Sequence, residues 1–380
     1  MTHTSPDVAI VGAGIVGAAC ARALAEDGLR VAVIESGIIA GSATGSGMGH
    51  VVVMDDSESQ FALTRYSRDL WAELVGELPP DCEHEPCGTI WVAADEEEMA
   101  VARKKCEYCA ARGVRAEVLD ASRLYEAEPN LRPGLCGGLL VPDDRVIYPP
   151  GVARWLLEQA QDRGAELRLG VRATALTADG VTLDDGSSLS AGAVILACGT
   201  ATVDLLPGLP VRPRKGHLVI TERYPGFIRH ELVELGYLKS AHAVAADSVA
   251  FNVQPRRTGQ ILIGSSRQYG DELPDIRRGI LCRMLHRAIE YMPGLARLAA
   301  IRTWTGFRAA TPDKLPLIGR WPGHERVWLA TGHEGLGIAT SLGTARLLAD
   351  QLAGRATAIP HGPYLPSRIG MRAGDPLVAL

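Results

Sequence analysis

The chain has 380 residues, of which 47% are hydrophobic and 22% are charged, a balance that supports a folded protein with a sizeable core. The formal net charge of −5, from 39 basic and 44 acidic residues, gives no reason to expect a nucleic-acid or anionic-membrane partner. The eight cysteines are sparse, and no basic region typical of a secretory signal precedes the first apolar run. We therefore expect a cytoplasmic protein with reduced thiols and no membrane span.

The first elements along the chain predict a βαβ unit. Residues 7–11 form a short apolar run typical of a buried strand, 15–26 have the pattern of a helix that stops at Gly28, and 29–35 form a second apolar run. Buried parallel strands are expected to be continuously apolar, and both runs are. Together the three segments have the length of one βαβ unit.

Further elements follow in chain order. Helices are predicted at 58–78, 96–112, 152–164, 276–291 and 338–352. Strands are predicted at 89–93, within 166–176, and at 193–197, 217–221, 248–253, 260–264 and 327–330.

Apolar runs of the parallel type lie at the start, middle and end of the chain, and alternating strands lie between them. This order predicts an α/β fold of two interleaved domains, each built from separate pieces of chain. The nucleotide-binding domain is predicted at 1–82, 150–215 and 318–356, the second domain at 83–149 and 216–317, and a surface tail at 357–380.

A glycine fingerprint follows the first strand. Gly12, Gly14 and Gly17 fit G-x-G-x-x-G: the first allows the tight turn, the second allows close approach of a pyrophosphate, and the third allows helix packing. Glu35 ends the second strand, where a carboxylate binds ribose hydroxyls and disfavours a 2′-phosphate. The fingerprint predicts FAD or NAD and does not separate them.

A second glycine loop lies at 331–337, between the predicted strand 327–330 and the helix 338–352. A nicotinamide enzyme has no need of such a loop far down the chain. The helix start could face a flavin ring, where negative charge develops on reduction. The loop therefore favours FAD, with a nicotinamide dehydrogenase as an alternative.

With both loops, the chain resembles the D-amino-acid-oxidase family of flavoproteins, which includes glycine oxidase, sarcosine oxidase and D-amino acid dehydrogenase. Three stretches, at 47–56, 235–242 and 304–313, are most similar to flavin subunits of the D-hydroxyproline dehydrogenase type. The resemblance covers nearly the whole chain. It implies a Rossmann-like FAD-binding domain joined to a substrate domain with a mostly antiparallel sheet.

The resemblance also implies a set of FAD contacts. They are Gly12, Ala13, Gly14, Gly17, Glu35, Ser42, Ala43, Thr44, Gly47, Met48 and Ala173, with the late loop His333, Glu334, Gly335, Leu336, Gly337, Ile338 and Ala339 at the flavin ring. No cysteine stands at the position where sarcosine oxidases attach FAD, upstream of Thr311-Pro312-Asp313. Non-covalent FAD is therefore expected.

Substrate contacts follow from the same resemblance. Arg308 in Gly306-Phe307-Arg308 matches the family arginine that holds the substrate carboxylate, and its guanidinium can do so through a bidentate pair of hydrogen bonds. Arg267, after the predicted strand 260–264, is a candidate second contact. Asn252 stands where glycine oxidases have a tyrosine, and Gly335 stands where some relatives have a second arginine. Both departures weaken a simple glycine oxidase assignment.

The implied reaction is hydride transfer from the carbon next to the amine to FAD. Arg308, Arg267 and His50 are the candidate catalytic residues, and His242 is a further candidate for proton removal. The cysteine pairs Cys82–Cys87 and Cys106–Cys109 resemble iron–sulfur spacing only superficially, so no metal is expected.

The expected function is oxidation of the carbon–nitrogen bond of a small amino or imino acid, with D-hydroxyproline or D-proline as the favoured substrate. A glycine or sarcosine oxidase that releases peroxide is an alternative. An electron-transferring or structural flavin subunit of a hetero-oligomer is another, so the expected partners include a possible subunit or electron acceptor.

Overall fold

The computed structural model describes residues 5–236 and 247–369. The α-helices of this part are α1 Ile15–Glu26, α2 Glu58–Leu74, α3 Glu96–Ala110, α4 Ala121–Ala127, α5 Pro149–Gln161, α6 Thr202–Leu205, α7 Arg278–Tyr291 and α8 Gly337–Leu352. The strands are β1 Val8–Val11, β2 Val31–Glu35, β3 His50–Val51, β4 Thr89–Ala93, β5 Glu117–Asp120, β6 Gly137–Val141, β7 Arg145–Val146, β8 Glu166–Leu169, β9 Ala173–Leu176, β10 Gly180–Leu183, β11 Ser188–Ser190, β12 Ala193–Leu196, β13 Arg212–Arg223, β14 Glu231–Glu234, β15 Ser248–Pro255, β16 Gln260–Arg267, β17 Ala300–Ala310, β18 Leu317–Arg320 and β19 Val327–Thr331.

The first large sheet is Rossmann-like, with six strands in the order β18-β19-β12-β1-β2-β8. Its strands pair in parallel except β18, which runs antiparallel to β19. Strands β1 and β12 are buried along their whole length. Ile10 packs with the helices α1, α5 and α8 on one face, and Val11 packs with the small sheet β11-β10-β9 on the other. Burial on both faces explains why these strands are continuously apolar.

The second large sheet has eight strands in the order β17-β13-β16-β15-β14-β4-β6-β5 and is antiparallel except between β14 and β4. One face packs against α7, where the rings of Phe251 and Tyr291 stack with centroids 4.5 Å apart. Cross-strand partners share a face. The register therefore places Glu231 and Asn252 on the opposite face, toward the first sheet.

The α/β fold with two interleaved sheets confirms the predicted fold class. Several boundaries and elements were wrong or missing. Arg267 was expected after a strand but is the last residue of β16. The alternating pattern did not predict β17, which carries Arg308, or β14, which carries Glu231. The predicted domain boundaries stay a prediction.

The tail beyond residue 356 was expected to lie on the surface, and its described part, 357–369, is partly exposed but anchored to the domain at two points. Tyr364 is only 1% exposed, and its hydroxyl donates a hydrogen bond of 2.6 Å to the carbonyl of Ser59. Arg368 pairs with Asp313 at 2.7 Å. This segment therefore packs against the domain, because an aromatic ring and a paired guanidinium anchor it. Residues 370–380 lie outside the described part.

None of the helices in the described ranges has the length and apolar character required to span a bilayer.

Trp71 on α2 provides a test of the packing between α2 and α8. The side chain is fully buried, and its indole nitrogen donates a hydrogen bond of 3.2 Å to the carbonyl of Ala339. Trp71→Ala is expected to lower the free energy of unfolding by about 3–5 kcal/mol, through the cavity it leaves. Trp71→Phe, which mainly removes the hydrogen bond, is expected to cost roughly 1–3 kcal/mol. Urea unfolding followed by circular dichroism measures both, and equal losses would contradict the packing assignment.

Candidate active site

The turn after β1 is built from glycines that no other residue can replace without a clash. Gly12 has φ +110°, and a Cβ there would lie 2.7 Å from the carbonyl oxygen of Ala197. A Cβ on Gly17 would lie 2.0 Å from the carbonyl oxygen of Gly12. The chain therefore turns tightly out of β1, and α1 packs directly on that turn.

The start of α1 faces the end of β2. The hydroxyl oxygen of Thr44 accepts a hydrogen bond of 3.0 Å from the Ile15 amide. The Glu35 carboxylate accepts hydrogen bonds from the amides of Ala13 at 2.9 Å and Gly37 at 2.8 Å. A helix N-terminus with its backbone amides and partial positive charge favours a phosphate. Glu35 is held at the rim, where a ribose would lie.

One cavity of about 780 Å³ extends from this turn to the second sheet, within the size range of small-molecule and cofactor sites. The predicted residues on its wall are Gly12, Gly14, Glu35, Ser42, Ala43, Thr44, Gly47, Met48, His50, Ala173, Asn252, Arg267, Arg308 and the late-loop residues His333, Glu334, Gly335, Leu336, Gly337 and Ile338. Ala13, Gly17 and Ala339 are buried behind the wall and do not line the cavity. The structure thus brings both glycine loops together.

The late loop is fixed against the end of β17. The Glu334 amide donates a hydrogen bond of 2.8 Å to the Ala309 carbonyl, and a Cβ on Gly332 would lie 2.5 Å from Cγ2 of Thr311. The His333 ring nitrogen Nε2 lies 3.0 Å from the Thr344 hydroxyl, and burial lowers the pKa of His333 to about 3. His333 is therefore a neutral packing residue that holds the loop before α8.

Arg308 lies at the second-sheet end of the cavity. Its side chain crosses Gly216 on the neighbouring strand β13, where a Cβ would lie 2.5 Å from Nη1, and Nη1 donates a hydrogen bond of 3.1 Å to the Ser266 carbonyl. Burial is the main cause that lowers the pKa of Arg308, which stays a cation at neutral pH because the reference value of arginine is so high. Among the described residues, no carboxylate lies within 4.0 Å of its guanidinium.

Two further arginines lie at this end. Arg214, the cross-strand partner of Arg308, forms an ion pair with Glu334. Burial, together with the charges of Arg308 and Arg214, lowers the pKa of Arg267 to about 9. Three guanidinium groups, opposed by the carboxylates of Glu334 and Asp56, make this end of the cavity positive. It can therefore bind an anionic group of a ligand.

Another part of the wall is formed by polar groups on β3, β14 and β15. Nδ1 of His50 lies 3.4 Å from Oε1 of Glu231, at a geometry that is not a hydrogen bond. Burial lowers the pKa of His50 to about 4, opposed by a hydrogen bond to the Gly335 backbone. His50 is therefore neutral near pH 7. Oδ1 of Asn252 is buried without a hydrogen-bond partner.

Sequence reasoning missed several residues of the wall. Arg214 could have been found as the strand partner of the G-x-R arginine, had β17 been predicted. Glu231 and Gln60 also line the cavity, but no local sequence pattern marks them. His242, a candidate for proton removal, lies outside the described residues.

The residues at the first-sheet end fit a dinucleotide with a flavin. The glycine turn leaves room where a Cβ would collide, the α1 N-terminus favours a phosphate, and the late loop closes the other end. Within the described part of the chain, no group of three or more histidine, cysteine, aspartate or glutamate side chains is placed to hold a metal ion.

Comparison with known proteins agrees with this geometry. The sequence profile of the DAO family, described as FAD dependent oxidoreductase, matches residues 7–351. Glycine oxidase of Pseudomonas aeruginosa is 29% identical over 384 residues, which cover 96% of this chain and 99% of the relative. D-amino acid dehydrogenase of Rhizorhabdus wittichii is 29% identical over 317 residues, which cover 79% of this chain and 72% of the relative. The crystal structure of glycine oxidase from Geobacillus kaustophilus matches with a TM-score of 0.86 and 26% identity, over 96% of this chain and 99% of that one.

The glycine turn can be tested with a matched pair of substitutions. Gly12 and Gly28 both have positive φ, but a Cβ on Gly28 meets no atom within 4 Å, whereas one on Gly12 would collide with Ala197. Gly28→Ala is expected to cost roughly 1–2 kcal/mol of stability and to keep FAD binding. Gly12→Ala is expected to weaken FAD binding by more than roughly tenfold. Fluorescence titration of the apoprotein with FAD measures the affinity of each variant. Equal affinities of Gly12→Ala and Gly28→Ala would contradict the proposal that the turn at Gly12 holds FAD.

Proposed function

The chain belongs to the DAO family of FAD-dependent oxidoreductases, and from that premise we propose that it oxidises the carbon–nitrogen bond of a small amino or imino acid, with cis-4-hydroxy-D-proline or D-proline as the preferred substrate. FAD is its cofactor, and it acts on amino acids like its relatives. The chemical class of the reaction follows from the family. The substrate and the residue roles are the proposal.

The proposed roles begin with the cofactor. The glycine turn holds the pyrophosphate, Glu35 binds a ribose, Ala173 on β9 lies at the adenine, and the loop before α8 lies at the flavin ring. When bound, FAD accepts the hydride that leaves the substrate. Cys198 is the cysteine among the described residues that line the cavity, and burial raises the pKa of its thiol to about 11. A protonated thiol of this kind supports non-covalent binding.

The observation that carries the substrate proposal is the buried Arg308 guanidinium. It is held by the Ser266 carbonyl and has no carboxylate partner among the described residues, so a substrate carboxylate would supply its counter-charge. Arg267 adds positive charge to the same end. Fixing the carboxylate orients the α carbon, and such positioning can contribute several kcal/mol to a rate enhancement.

Asn252 supports a hydroxylated ring. Its buried Oδ1 lacks a hydrogen-bond partner and lines the cavity, so it can accept a hydrogen bond from a substrate hydroxyl. The named activity of the relatives favours a second candidate, oxidation of glycine or an N-substituted glycine. A substrate of that size has no hydroxyl to offer Asn252.

The electron acceptor is a separate question from the substrate. Relatives include both oxidases and dehydrogenases by name, so a turnover assay has to supply oxygen in one arm and an artificial electron acceptor in the other. Arg308 lines the same cavity as the late loop. This position supports catalysis in this chain, as opposed to a structural flavin in a larger complex. We propose that a partner subunit, if one is required, receives electrons and does not bind the substrate.

Arg308 can be tested against an arginine on the same strand. Arg302 also lies on β17 but is exposed, with its guanidinium 5.5 Å from the centroid of the Trp304 ring. Arg308→Ala is expected to lower kcat/KM by roughly 10²–10³-fold, because it removes a buried charge partner of the carboxylate. Arg302→Ala is expected to change kcat/KM by less than roughly twofold. Anaerobic stopped-flow reduction of the bound flavin gives the rates.

Both variants are expected to bind FAD as the unmodified protein does, which separates loss of catalysis from loss of cofactor. An Arg308→Ala rate equal to that of Arg302→Ala would remove the carboxylate anchor.

Asn252 can be tested with a substrate pair. Asn252→Ala is expected to lower the preference for cis-4-hydroxy-D-proline over D-proline by roughly tenfold, because one hydrogen bond to the hydroxyl is lost. The rate with D-proline is expected to change little. Anaerobic flavin reduction with these two compounds, and with sarcosine, glycine and D-alanine, measures the preference. A faster rate with glycine or sarcosine than with either proline compound would overturn the substrate assignment and favour the second candidate.

A further inference from the structure

A pair of buried carboxyl groups lies at the part of the cavity wall that β3 and β14 form. Glu231 is 2% exposed and lines the cavity, and Asp144 is 1% exposed and lies behind it. The Thr89 hydroxyl donates a hydrogen bond of 3.4 Å to Oε2 of Glu231, and the Val53 amide lies 3.4 Å from Oδ1 of Asp144. Oδ2 of Asp144 has no hydrogen-bond partner.

Three charged or titratable groups of the described residues lie around Glu231. His50 on β3 lies 3.4 Å away, the Cys87 thiol lies near its backbone, and Asp144 adds negative charge from the turn before β7. Arg68 and Arg145 act on Asp144, not on Glu231. Among the described residues, no lysine or arginine lies within 4.0 Å of Glu231.

A buried carboxylate without a cation is costly unless a ligand brings one. Glu231 faces the same cavity as Arg308. The two residues are linked through Gly335, whose backbone forms a hydrogen bond with His50 beside Glu231. On the other side, a Cβ on Gly335 would lie 3.7 Å from Cδ of Arg308. The cavity is therefore positive at the arginines, and it becomes negative at Glu231 once the pH exceeds the raised pKa of that carboxyl, about 8. Such a field aligns a molecule that carries both a carboxylate and an ammonium group.

We propose that Glu231, paired with His50, is the group that takes the proton from the ammonium nitrogen of the substrate. The proposal rests on the proposed function. An N–H bond of the ammonium breaks, and a new O–H bond forms on the Glu231 carboxylate, beside the neutral ring of His50. The freed nitrogen lone pair becomes the second bond of the C=N group as the α C–H bond breaks and its hydride passes to FAD.

The protonation state of Glu231 supports this role. Burial, with the nearby Asp144 charge, raises the pKa of Glu231 to about 8, whereas the hydrogen bond from Thr89 opposes the rise. Burial also raises the pKa of Asp144 to about 7, and because the two carboxyl groups repel each other when charged, Glu231 and Asp144 titrate as a coupled pair in this range. Above this pH the pair is ready to accept a proton, and below it the pair is already protonated. The rate of flavin reduction is therefore expected to rise with pH through about 8.

The test compares pH profiles of anaerobic flavin reduction by D-proline in four variants. Glu231→Gln is expected to lower the rate by roughly 10²–10⁴-fold and to lose the rise near pH 8. Asp144→Asn removes a like charge and is expected to move the rise to lower pH. Thr89→Val removes a hydrogen bond that favours the charged forms of both Glu231 and Asp144 and is expected to move the rise to higher pH. Asp143→Asn, at a half-buried neighbour that pairs with Arg115 outside the cavity wall, is expected to leave the profile unchanged.

A binding measurement gives a readout that does not depend on turnover. α-Methyl-D-proline keeps the carboxylate and the amine but has no α hydrogen to lose. Its Kd for the FAD-bound protein, measured by calorimetry, is expected to fall as pH rises through about 8, and the Glu231→Gln value is expected to stay flat. If Glu231→Gln does not fold, the opposite shifts of Asp144→Asn and Thr89→Val carry the test.

The outcomes separate the two proposals. A Glu231→Gln profile that keeps the original rise, or shifts of Asp144→Asn and Thr89→Val in the same direction, overturns the role of Glu231 and leaves the amino-acid oxidoreductase in place. Failure of every amino and imino acid to reduce the flavin of the unmodified protein overturns the proposed function itself.

Discussion

The site depends on one buried positive charge. The Arg308 guanidinium crosses Gly216 to reach the Ser266 carbonyl, and no carboxylate of the described residues neutralises it. A buried, unpaired charge costs several kcal/mol, and proteins keep such a charge where a ligand completes it. The glycine at 216, the ion pair between Arg214 and Glu334, and the fixed loop before α8 all keep this cation directed into the cavity.

The two sheets make a single chamber from distant parts of the chain. The first sheet supplies the glycine turn, the α1 N-terminus and Glu35, and the second sheet supplies Arg308, Asn252 and Glu231. The loop before α8 closes the join, because Glu334 is bonded to Ala309 at the end of β17. A cofactor at the glycine turn and a substrate at Arg308 would therefore share one continuous space, which has positive charge at the arginines and a carboxyl pair at Glu231 and Asp144.

The sequence predicted the parts of this site that are local. The strand, glycine turn and helix at 8–26 depend on neighbours in sequence, and the helix bounds of α1 were correct. Strand β17 was missed because it is an edge strand whose cavity-facing residues include Gly306 and Arg308, which break the apolar alternation. Glu231 was missed because its importance comes from His50 and Asp144, which are brought to it only by folding.

The most direct measurement is a crystal structure of the FAD-bound protein with pyrrole-2-carboxylate, a planar carboxylate analogue of proline that has no α hydrogen to lose. The account predicts FAD along the chamber from Gly12 to the loop before α8, and the carboxylate of the analogue in a bidentate pair with Arg308. A carboxylate bound away from Arg308, or FAD bound outside this chamber, would contradict it.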